Sequence, residues 1–148
     1  MEAGLKIEKT SELWIQNVEF RIEKMKFKKD KIMAIDDMLK RTKDFAIRVF
    51  KFVEKLPKSK GTDVIIYQIL KAASSVAANH RATIRAKSKA DFINKLTIVQ
   101  EECDESLFWL EFIKELELIS DKELDWLIKE ANELTSIFTA SLITTKRS

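Results

Sequence analysis

Two glycines and one proline in 148 residues leave this chain almost nothing with which to build tight turns. Hairpins draw on glycine, asparagine and proline for their reversals, and phosphate-cradling loops draw on runs of glycine. A chain so poor in both can change direction only a few times. Its apolar residues, 45% of the total beside 34% charged, recur at helical rather than alternating spacing. The expected fold is all-α. At this length it forms one domain able to bury a core without disulfides or metals.

The periodicity places the elements. Trp14, Val18, Ile22 and Met25 fall on one face of a short N-terminal helix, followed by the lysine-rich run KMKFKKDK, read as a solvated helix end or linker. A second helix is expected from about Asp37 to Leu56, capped by Asp36 or Asp37, with Met38, Thr42, Phe45, Ala46, Val49, Phe50 and Val53 inward. Pro57 and Gly61 end it. Thr62 or Asp63 caps the next, whose inward row is Ile65, Ile66, Ile69, Leu70, Ala73, Val76 and Ala77. Ser88 opens a helix carrying Phe92, Leu96, Val99, Cys103, Leu107, Leu110 and Ile113, and the capping box Ser120-Asp121-Lys122-Glu123 opens the last. Short loops between long helices make antiparallel neighbours. The expected architecture is an antiparallel up-down four-helix bundle over 37–148, with residues 1–36 as a partly helical N-terminal extension.

Charge is distributed unevenly. The net charge is +3, but residues 1–90 carry +10 and residues 91–148 carry −7. Such polarity suits an anionic partner, or it is neutralised internally where basic helices pack beside acidic ones. The basic residues that would meet phosphates are Lys71, Arg81, Arg85, Lys87 and Lys89, with Arg41, Lys43, Arg48 and Lys51 as a second set. The competing assignment pairs Arg81 and Arg85 with Glu101, Glu102 or Glu105 on the adjacent helix. No stacking pattern for single strands accompanies these residues, so binding is expected to be independent of sequence.

Catalytic and metal chemistry find little support. A di-metal bundle needs a Glu-x-x-His pair on each of two helices. The chain has a single histidine, His80, and Ala77 stands three residues before it. Cys103, the one cysteine, falls on a core-facing position, where a thiol is inert, and it has no disulfide partner within the chain. His80 lacks an evident orienting acid and reads as a packed or interface residue. No enzyme activity, cofactor or metal is expected. With no membrane-spanning segment and no secretory signal at the N-terminus, the expected location is the cytoplasm.

Several stretches occur together in order: Arg41-Thr42-Lys43-Asp44-Phe45-Ala46, Leu56-Pro57-Lys58, Gln68-Ile69-Leu70-Lys71-Ala72-Ala73-Ser74-Ser75-Val76-Ala77-Ala78-Asn79-His80-Arg81, and Ser88-Lys89-Ala90-Asp91-Phe92-Ile93-Asn94-Lys95-Leu96, then Glu102, Glu105, Trp109 and Leu110. In combination they resemble the bacterial four-helix bundle proteins encoded in intervening sequences of large-subunit (23S) ribosomal RNA genes. The accessory variability protein of diversity-generating retroelements is similar. The resemblance spans about residues 37 to 145. It implies an antiparallel bundle assembled into a homopentamer. For the retroelement relatives it also implies a basic surface that binds nucleic acid and a reverse transcriptase. The ribosomal-gene members bring no defined biochemical role. This sequence has His80 where the family usually has tyrosine, and Ala82-Thr83 where it has glutamate and alanine, so no role resting on that glutamate carries over. The alternative function is a scaffold whose partner is a protein.

Overall fold

A computed structural model describes residues 2–148, with side chains from residue 8 onward. It is helical throughout, with α1 at Glu2–Val53, α2 at Lys60–Thr83, α3 at Lys89–Glu115 and α4 at Lys122–Arg147. The chain divides into two compact units, Met1–Met38 and Leu39–Ser148. The second is the four-helix bundle.

The expected break before Asp37 does not occur. Nothing between Trp14 and Val53 is glycine or proline, and the lysines of KMKFKKDK are good helix formers. Asp36 and Asp37 therefore lie inside α1 rather than capping a new helix. Within the first unit the side chains described from residue 8 to 37 are exposed, apart from Val18.

The bundle's helices start on side-chain caps. Ser59, and not Thr62 or Asp63, caps α2; its Oγ accepts from the Thr62 amide at 3.1 Å, and Thr62 itself is buried. Ser88 caps α3 as expected, with Oγ accepting from the Asp91 amide at 3.0 Å. The last cap moves one residue on, to Asp121, whose Oδ1 accepts from the Glu123 amide at 2.8 Å. The box on Ser120 does not close, because the Glu123 carboxylate is held by Arg48 instead.

Phe45, Val49, Phe52, Ile69, Val76, Val99, Leu110, Ile113, Leu127 and Leu134 form the fully buried centre. Ala72, Ala73 and Ala131 are also buried there, letting backbones approach. The inward row of α1 differs from expectation at one aromatic. Phe52 is buried and Phe50 is 49% exposed, since Phe52 continues the Phe45–Val49 row while Phe50 shares the outer face with Ile47. On α3, Ser106 takes the core position and Leu107 is half-buried; the Ser106 hydroxyl donates to the Glu102 carbonyl at 2.7 Å. Ile66, Leu70, Ala77 and Phe92, also assigned inward, are likewise half-buried at the margins.

Candidate nucleic-acid interface

Two of the basic candidates are occupied inside the bundle. Arg41 and Arg48 stand seven residues apart on α1, and Glu130 and Glu123 stand seven apart on α4. Antiparallel packing sets each arginine opposite one glutamate. Arg41 donates from Nε and Nη2 to Glu130 at 2.6 and 2.9 Å, and Nη2 also reaches Glu133 at 2.7 Å. Arg48 grips Glu123 through two bonds of 2.7 Å and lies 3.3 Å over the Trp126 ring. The hydrogen bond from Arg48 pulls the Glu123 carboxyl below its ordinary range, and the bonds to Glu130 and Glu123 push Arg41 and Arg48 upward. These two guanidiniums are committed to joining α1 and α4. Here the basic front of the chain is neutralised by its acidic back.

The second half of α2 differs. Lys71 and Arg81 share its outer face with Ser74 and Ala78, and all four are exposed. Arg85 and Lys87 follow in the join, also exposed. None of these four cations forms an ion pair among the described residues. The pairing of Arg81 or Arg85 with Glu101, Glu102 or Glu105 is not made. Lys71 does act on Glu102 at longer range, opposing the burial that raises that carboxyl. The join is held at both ends: the Arg85 and Ala86 amides donate to the Ala82 and Thr83 carbonyls at 3.1 and 3.2 Å, and the Lys87 amide donates to Asp91 Oδ2 at 2.9 Å. Lys89 is engaged across the bundle, its Nζ donating to the Ser148 carbonyl at the end of α4.

Lys43 and Lys51 stand on the outer face of α1 and border a groove of about 920 Å³ between α1 and α2. Ala46, Ile47, Phe50, Ala77, Ala78 and Arg81 are among its lining. This apolar groove was not legible in the sequence, because Phe50 had been placed in the core. Its signal was the i, i+3 pair Ile47 and Phe50 flanked by lysines.

His80 and Cys103 are packing residues. Thr42 Oγ1 lies 3.1 Å from the Leu39 carbonyl and 3.1 Å from His80 Nδ1, within hydrogen-bond distance of both. The ring meets Phe138 edge-on at 5.0 Å. Burial lowers the His80 pKa. The unfolded chain therefore binds a proton at higher pH than the folded one, and this contribution to stability is complete above about pH 6.5 and lost as pH falls toward the folded value. Denaturant midpoints compared at pH 7.5 and 5.5 are expected to show this fall, and His80→Asn to reduce it. Cys103 is fully buried, and burial pushes its thiol up to about 12. It is expected to resist a thiol reagent in the native protein and to react fully in denaturant. No three potential metal ligands cluster among the described residues.

Among the described residues the chain is helical, its buried polar side chains are satisfied, and no helix is long and apolar enough to cross a membrane; with an unpaired basic edge, this defines a class, a helical bundle protein. Residues 36–140 match the model of the 23S rRNA-intervening sequence protein family, and the chain belongs to that family. A crystal structure of a protein of unknown function from the S23 ribosomal protein family of Bacteroides thetaiotaomicron is similar, with 28% identity and a TM-score of 0.66 over 73% of this chain and 96% of that one. No curated protein matches. Neither comparison indicates a catalytic family.

Proposed function

We propose that this is a non-catalytic, oligomeric bundle that binds RNA or DNA by phosphate contacts without reading sequence. The observation that carries this reading is the unpaired set Lys71, Arg81, Arg85 and Lys87, exposed along α2 and its join to α3 while Arg41 and Arg48 are paired. Exposed cations with no internal partner keep their full charge for phosphate oxygens, and arginine can hold two at once. Lys89 adds charge at the same end. The self-association belongs to the reading through the family resemblance, with five copies as the expected number; a reverse transcriptase partner enters on the same basis. The place of action is the cytoplasm.

Gel shifts of the full chain with unrelated single-stranded RNA, duplex RNA and duplex DNA test it. Comparable affinities across sequences, falling steeply between 50 and 200 mM salt, are expected. Failure to shift any of them at 50 mM salt overturns the reading. A second reading, a scaffold for a protein partner, is favoured by the apolar groove beside Ile47 and Phe50 with its lysine rim. An acidic amphipathic helical peptide that binds the wild type and not Ile47→Glu would support it.

A further inference from the structure

The first unit carries apolar side chains that the chain leaves in solvent. Ile15, Ile22, Met25 and Ile32 are 49%, 59%, 70% and 50% exposed. With Val18 they form one stripe at the three- and four-residue steps of a coiled-coil seam. The stretch lies before residue 36, outside the family match. A lone helix with an uncovered apolar seam is marginal in water, and contiguous apolar surface marks a contact site.

We propose that this seam pairs with the same seam of a second copy, in antiparallel orientation. The sequence is nearly symmetric about the peptide bond between Glu23 and Lys24. Reversing one copy about that point sets Ile15 against Ile32 of the other copy and Ile22 against Met25, each contact occurring twice, as an isologous two-fold interface requires. Charge selects the orientation. In a parallel pair in register, Lys29 meets its own copy within the seam, and Arg21 flanks Lys26 on both sides. In the antiparallel pair, Lys29 faces Val18, and Lys26 flanks Glu19 on one edge. The Arg21–Lys28 repulsion on the other edge is thereby offset. This pairing is independent of the nucleic-acid reading and of any contact between bundles.

Two measurements on the full chain test it. Light scattering of Ile22→Lys with Met25→Lys is expected to give half the wild-type mass, whether the bundles stay single or associate in fives, with the helicity of the bundle retained and any loss confined to the unpaired first unit. An unchanged mass overturns the proposal and leaves the seam to a lipid surface or another macromolecule. The second measurement uses Ile15→Cys and Ile32→Cys, made separately, with buried Cys103 as a silent background. Mixed and oxidised, they are expected to form the cross-variant disulfide, with neither cross-linking to itself. In the antiparallel pair, the two copies of residue 15 lie about 25 Å apart along the axis. Self-cross-links of each variant, or none in the mixture, overturn the antiparallel assignment.

Discussion

Truncating Phe45 to alanine is expected to lower the unfolding free energy of the bundle by about 3–5 kcal/mol. The ring is fully buried, so the change removes its transfer free energy and leaves a cavity that the surrounding helices close only in part. Against a total of about 5–15 kcal/mol for an ordinary domain, that is a large fraction. Phe50→Ala is the control. Five residues further along the same helix, its ring is 49% exposed, and the expected loss is about 1 kcal/mol or less. Urea melts of both variants check the pair. Equal losses would show that the two rings are equally buried, against the inward row seen in α1.

Reversing charge at the join is expected to have the other large effect. Arg85→Glu with Lys87→Glu replaces two exposed, unpaired cations by anions, and should weaken binding to every nucleic acid by about tenfold or more at 0.1 M salt. Loss of two phosphate contacts makes the slope of log affinity against log salt shallower by about 1.8 on duplex DNA. Helix content and melting temperature should hold, since neither side chain is paired within the bundle. The matched variant Arg41→Glu behaves oppositely: it sets a carboxylate against Glu130 and Glu133, so stability falls first. Unchanged affinity in the join variant, with a lowered melting temperature, would retire the interface and leave the segment as architecture.

The helical class, the bundle and the Ser88 cap were legible in the sequence because each is set by local chemistry. Scarcity of glycine and proline forbids frequent turns, apolar rows at helical spacing define buried faces, and a serine before a helix satisfies free amides. The extent of α1 was not legible, since acidic residues at 36 and 37 suit a cap as well as a helix interior, and only continuity of the backbone decides. Which phenylalanine turns inward was misread: Phe50 was placed in the core, whereas the helical step from Phe45 and Val49 carries the buried row on to Phe52.

The same division runs through the candidate interface. Composition along the chain determined that a basic front precedes an acidic back, and it named a set of candidate cations for phosphate contacts. It could not say which of them would be neutralised, because an ion pair depends on distances between residues about eighty positions apart. Only the antiparallel apposition of α1 and α4 brings Arg41 to Glu130 and Arg48 to Glu123. The acids of α3 make no such approach to Arg81 or Arg85, whose side chains stay exposed. Sequence thus determined the inventory of charge and the helices that carry it, while tertiary packing decided which charges are paired and which remain for a partner, because Coulomb attraction at contact distance is a property of the assembled helices alone.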